Sequence, residues 1–494
     1  MTNAYQHLRD TFTRLSRFSH LSAITGWDMQ TQMPAGGSQV RAEALAELSV
    51  LMHQTLTAPQ VADWIEQAKS EDLNPEQQAN LAEIARRYQQ AVILPEKFVS
   101  AKSLAGMQCE HAWRTQRPDN DWDGFVKNFA PVVELSREEA QIRAEKTNVS
   151  RYDALLDLYE PGMTSARLDT IFADVKSWLP DLLKNIVEKQ KTESTLAAQG
   201  PFAIDKQRAL GIEIMQVLGF DFNHGRLDVS AHPFCGGVPE DVRITTRYTE
   251  DDFLSALLGI VHETGHARYE QNLPKQWAGQ PIGEARSTAI HESQSLFFEM
   301  QLARSEPFLE FLRPYVQKAF GDQPAFEQGN FLRMNQRVEA GFIRIDADEV
   351  SYPAHVILRY EIERALIEGE IEVQHIPDLW NEKMQSYLGL NTQGNFRDGC
   401  MQDIHWTDGA FGYFPTYTLG AMYAAQLFAS AKNALPDLDQ QILRGDLSAL
   451  SGWLRQNIWQ HGSRFDTDTL IQNASGETLN PSFFRRHLEQ RYLG

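Results

Sequence analysis

The run His262-Glu263-Thr264-Gly265-His266 sets two imidazoles four residues apart. Positions four apart share one face of a helix, so His262 and His266 can offer two nitrogens to one metal ion. Glu263 lies about 100° further round, close enough to face a water on that ion and too displaced to be its third tetrahedral ligand. It is placed as a general base. At roughly 0.03 His and 0.07 Glu per position, chance supplies such a run about 0.03 times in a chain this long. The competing reading is an amphipathic helix whose histidines are satisfied by hydrogen bonds.

A catalytic zinc keeps three protein ligands and one open position, so a third ligand has to come from elsewhere. Between Gly283 and Glu299 the apolar and small residues have helical spacing, which describes a second helix able to pack antiparallel against the first. Glu292 is the candidate on that helix, with Glu284 and Glu299 as rivals. Gly259 and Gly265 would let the two helices approach closely.

The elements that must position these groups are mostly helical. Residues 1 to about 220 show apolar positions three and four apart, as in Ala44, Leu45, Leu48, Leu51 and Met52, and in Leu168, Ile171, Phe172, Val175, Leu179, Leu182 and Leu183. Between about Gly225 and Thr249 the period changes to two, with Val242, Ile244, Thr246 and Tyr248 on one face and Arg243, Thr245 and Arg247 on the other. With Arg226 to Val229 before it, this predicts a small antiparallel sheet just ahead of the metal helix, whose edge could pair with an extended peptide. Ser351 before Tyr352-Pro353 reads as the N-cap of a helix reaching about Ile367. The expected organisation is a helical region over 1–220 and a catalytic region over 221–494, together one continuous body.

The segment Val261 to His266, with His291-Glu292-Ser293-Gln294-Ser295 after it, resembles the carboxypeptidase Taq family of metallopeptidases. Four further signatures match in order: His232-Pro233-Phe234, Asp241-Val242-Arg243-Ile244-Thr245, Ile343 to Asp348, and Gly399 to Trp406. Leu296 departs from the arginine that many relatives carry after the HESQS run. The resemblance implies a mainly α, saddle-shaped fold with a deep central groove, a lid from the N-terminal helices, a homodimer, and release of single residues from peptide C-termini. It also implies Glu292 as the third metal ligand and Arg344 as the group that grips the substrate α-carboxylate, for which a guanidinium fork is well shaped. The competing partner for Arg344 is Asp346 or Asp348. His232, His405 and Tyr417 are candidate donors to substrate or to a developing oxyanion. Arg243 either faces substrate or, as its neighbour Asp241 favours, supports the sheet.

Composition bounds the rest. The formal charge of −20 argues against nucleic acid as a partner, because that affinity rests on Lys and Arg neutralising phosphates. No apolar run approaches the ~18 residues that span a bilayer, and the start lacks a basic-then-apolar signal, so the expected compartment is the cytoplasm. Cys109, Cys235 and Cys400 are widely spaced without a CxxC pair, which predicts buried thiols rather than disulfides or a thiolate site. Two His and one Glu suit zinc, with cobalt able to replace it. An endo-oligopeptidase with a related helical cleft, and a helical binding protein with an inactive site, are the competing functions.

Overall fold

Helical spacing becomes helix along most of the chain in the computed structural model, which describes residues 3–494. Helix Ser165–Gln190 opens where the Thr164 side chain accepts the backbone N–H of Arg167, and it buries all seven apolar residues of the set beginning at Leu168. The set beginning at Ala44 also forms a helix, Ser38–Leu56, but none of its residues is buried. Near its start Arg41 pairs with Asp28 at 2.6 Å, and towards its C-terminal end Met52 and Leu56 pack against the core of the N-terminal helices. No described helix is long and apolar enough to cross a membrane.

The chain divides into two compact units, each assembled from three stretches. The first takes the chain up to residue 92 together with 195–336 and 423–480; the second takes 93–194, 337–422 and 481–494. Residue 220 is therefore no boundary, because successive helices return to a unit begun earlier in the chain.

The first unit holds the sheet and the HExxH run. Strands β1 (Gly225–Val229), β2 (Cys235–Val238) and β3 (Asp241–Thr246) form one sheet in the order β1-β3-β2. The β2–β3 pair is antiparallel as expected, whereas β1 runs parallel to β3 with Leu227 opposite Ile244. The sheet is thus mixed, because the chain crosses from β1 past β3 before turning back through the two glycines of β2. Val242, Ile244 and Leu227 pack with Ile260 and Ala267 of helix α1 (Phe253–Glu270), so the sheet seats the metal helix. Burying such an aliphatic side chain contributes about 1.5–3 kcal/mol. Asp252 starts α1 by accepting the N–H groups of Leu254 and Ser255.

Helix α2 (Thr288–Leu296) follows, capped by Ser287 and continued by a π-helical segment, Phe297–Ala303. Gly265 lies where α1 and α2 meet. A Cβ there would stand 2.5 Å from the Gln294 carbonyl oxygen and 2.6 Å from Ser295 Cα, so only glycine allows this approach. Gly259 has no comparable neighbour, its nearest being Thr246 Oγ1 at 4.0 Å. In the second unit, α3 (Tyr352–Glu368) carries Pro353 in its first turn. Ser351 makes no side-chain cap; in the turn just before the helix, Asp348 accepts the N–H groups of Val350 and Ser351 at 2.9 Å each. All three cysteines are free thiols, with Cys109 and Cys400 buried.

Candidate metal centre

One ligand atom each from His262, His266 and Glu292 lie within 4.8 Å of one another. Glu292 Oε2 stands 3.5 Å from His266 Nε2. The pairing of His266 with residues 291 and 292, and of His262 with residue 299, means that α1 and α2 run antiparallel.

Each imidazole is oriented from behind. His262 Nδ1 lies 2.9 Å from Glu299 Oε2. A carboxylate accepts, so Nδ1 carries the hydrogen and Nε2 keeps its lone pair for a ligand. His266 Nδ1 lies 2.7 Å from His291 Nδ1, and His291 Nε2 lies 2.8 Å from Glu270 Oε1. Glu270 accepts from His291 Nε2, which leaves His291 Nδ1 as an acceptor for the Nδ1–H of His266. The second Nε2 is thereby also freed.

The charges fit a cation at this point. Burial opposes a charge on His262, yet the hydrogen bond to Glu299 and the carboxylates Glu292, Glu263 and Glu299 raise it to about 10. Three carboxylates that favour a positive charge so strongly would equally favour a divalent ion. Burial holds His266 well below its ordinary value, in the neutral form a metal needs. Burial also raises Glu263 to about 7, with Glu292 and Glu299 adding to it against the pull of His262. A carboxylate near neutrality is suited to take and return a proton.

The rivals for third ligand fall elsewhere. Glu284 is half exposed and held by Arg87 through two hydrogen bonds of 2.8 and 2.5 Å. Glu299 backs His262 and sits 3.4 Å from Arg304. The chain of Glu270, His291 and His266 was not anticipated. Its signal was present, since His262, His266 and Glu270 are each four residues apart and share one face of α1.

The other candidates are dispersed. His232 is exposed on the turn before β2, where its carbonyl accepts from Ser230 Oγ at 2.5 Å. Arg243 makes two 2.9 Å bonds to Asp241 and lies 4.3 Å from the Trp27 ring, serving the sheet. Arg344, His405 and Tyr417 belong to the second unit and meet there. Arg344 pairs with neither Asp346 nor Asp348. It donates to Asp403 at 2.9 Å and to the Tyr352 hydroxyl at 2.9 Å, under the rings of Phe414 and Tyr417. Tyr417 Oη is 3.4 Å from His405 Nε2. Arg359, fully buried, lies 3.1 Å from the Trp406 ring centre and pairs with Glu363 at 3.3 Å and Asp403 at 3.6 Å.

This buried cluster should make stability depend on acid. Burial, aided by Arg344 and opposed by Asp403, holds His355 and His405 at about 4. In the unfolded chain both take up protons near pH 6.5. Their contribution is therefore complete above about 6.5 and is lost as the pH falls towards about 4, in total on the order of a few kcal/mol. Urea midpoints measured from pH 7 to 5 should fall, and His355→Leu should flatten that slope; an unchanged slope would contradict the assignment.

The geometry has counterparts. A family model described as carboxypeptidase Taq (M32) metallopeptidase matches residues 7–492. Thermostable carboxypeptidase 1 of Thermus thermophilus is 37% identical over 99% of this chain and 98% of its own length. Carboxypeptidase 1 of Bacillus subtilis is 35% identical over 98% and 97%. Among solved structures, metallocarboxypeptidase 1 of Trypanosoma cruzi is 51% identical, covers 99% of both chains and superposes with a TM-score of 0.98. A Pyrococcus furiosus carboxypeptidase is 31% identical with a TM-score of 0.94, covering 100% of this chain and 99% of its own. Matched over nearly its whole length in both sequence and fold, the chain belongs to the carboxypeptidase Taq family of metallopeptidases.

Proposed function

We propose that the protein removes single amino acids from the free C-termini of peptides, with broad specificity, using one divalent ion held by His262, His266 and Glu292. Zinc is the ion that two neutral imidazoles and a carboxylate favour, and cobalt is its substitute. A homodimer and a cytoplasmic setting complete the reading. The observation that carries it is the convergence of the three ligand atoms beside a buried Glu263, in a chain whose relatives are carboxypeptidases along their full length.

The ion, when bound, supplies Lewis acidity and makes a water easier to deprotonate. Glu263 takes a proton from the water that attacks the scissile carbonyl, and returns it to the departing amine as the C–N bond breaks. Glu299, and His291 with Glu270 behind it, keep the hydrogens of the two imidazoles on Nδ1. Arg344, held in place by Asp403, recognises the α-carboxylate. His405, Tyr417 and His232 are the donors proposed for substrate or oxyanion, while Arg243 stays with the sheet.

Timed mass spectrometry on a free-ended peptide should give a ladder shortened from the carboxyl end, abolished by chelator. Internal fragments, or equal turnover of the C-terminally amidated peptide, would point to an endopeptidase. Arg344→Ala should cut kcat/KM on free-ended peptides by roughly 10- to 100-fold, as expected when a charge-assisted pair to substrate is lost, and leave bound metal unchanged. Equal loss on amidated peptides would remove Arg344 from substrate recognition.

A further inference from the structure

The first unit contains a cavity of about 1600 Å³, whose wall includes the C-terminal end of α1 and part of helix Ser448–Asn457. Arg268 of α1 and Arg455 of that helix both line it. Five arginines are buried in the described structure: Arg143, Arg268, Arg286, Arg344 and Arg359. Four of them meet a carboxylate, in Glu139, Glu83, Asp403 and Glu363 respectively. Arg268 does not.

Arg268 is 8% exposed, and its Nε has no hydrogen-bond partner. No carboxylate among the described residues forms an ion pair with it. Asp221, on the same wall, attracts Arg268 without forming an ion pair with it, its oxygens being held by His224 Nδ1 at 2.7 Å and the Asn223 N–H at 2.9 Å. The guanidinium is nonetheless seated firmly. The Trp459 ring centre is 5.4 Å from its Cζ, and a Cβ on Gly219 would stand 3.3 Å from that carbon. Arg455 adds a second cation, fixed by two bonds to Asn272 Oδ1 at 2.8 and 3.1 Å.

A guanidinium taken out of water without a counter-charge is costly, and the other four buried arginines avoid that cost with a carboxylate. We propose that the cavity is an anion-binding site in which Arg268, with Arg455 beside it, takes a carboxylate or an inorganic oxyanion in the bidentate geometry a guanidinium favours. The source is either an acidic side chain of a peptide or a free oxyanion. The cavity wall also carries Glu270 and His291, which back His266, but neither Arg268 nor Arg455 belongs to the metal site, so anion binding is read separately from peptidase activity.

Calorimetric titration of the zinc-loaded full chain with three probes tests this: sodium sulfate, N-acetylglutamate amide and N-acetylglutamine amide, all at constant ionic strength. Saturable binding of sulfate alone identifies a free oxyanion. Binding of the glutamate probe but not the glutamine probe identifies a peptide side chain, since both lack an α-carboxylate. In either case Arg268→Gln should weaken the affinity tenfold or more, as loss of a charge-assisted pair requires, and Arg268→Lys less so. If Arg268→Gln does not fold, a graded loss across Arg268→Lys and Arg455→Gln carries the same conclusion. Absence of saturable binding by both anionic probes, or variants that bind as tightly as the parent, would overturn the proposal.

Discussion

Glu263→Gln is expected to yield a protein that loads its full complement of metal and loses about 10²- to 10⁴-fold in kcat, the usual contribution of a positioned acid–base group. That loss corresponds to roughly 3–5 kcal/mol of transition-state stabilisation. Glutamine is nearly isosteric but cannot accept the proton of the attacking water. Glu263 is not among the three converging ligands, so metal content should survive the change. Burial has already brought its carboxyl up to about 7. Only the ionised form acts as base, so kcat/KM should rise with pH along the acid limb. A bound cation lowers the midpoint of that limb below about 7. A variant that keeps its metal and works within tenfold of the parent would remove Glu263 from the proton-transfer role.

Stripping the metal should have the other large effect. Dialysis against a chelator should abolish turnover, and zinc or cobalt should restore it. Glu292→Gln should weaken zinc binding by roughly 100-fold or more, since changes even to groups behind a ligand cost 10- to 100-fold. The unfolding temperature should fall along with the metal, because an ion that binds only the folded state stabilises it by mass action. Metal content and activity measured on the same samples decide the matter. Full activity in a chelator-treated protein shown to be metal-free would end the proposal of a metal-dependent reaction.

The two histidines and Glu263 were legible because all three lie within one helical turn and a half, where spacing alone sets direction. Glu292 was harder. Glu299 is seven residues further along, and seven residues are close to two turns, so both carboxylates project from the same side of a regular helix. Periodicity had no means to separate them. The contact at Gly265 sets the register, bringing Glu292 to His266 and Glu299 to His262 Nδ1. The same limit applies to the sheet: alternation identified β3, while the parallel pairing of β1 is a matter of chain path. Arg344 shows a further form of it. Its neighbours in sequence suggested Asp346 or Asp348, but Asp403, fifty-nine residues on, is the partner.

What the amino-acid sequence determined by itself was local. It set where helices and one strand form, which residues share a face, and that two imidazoles and a base stand together on α1. Tertiary structure decided what spacing cannot encode: which carboxylate converges with the two imidazoles, which groups stand behind each of them, how the chain divides into units, and which buried arginine lacks an ion pair. These outcomes depend on the approach of segments far apart in the chain. That approach follows from packing and charge compensation summed over a whole unit, and no window of neighbouring residues contains the sum.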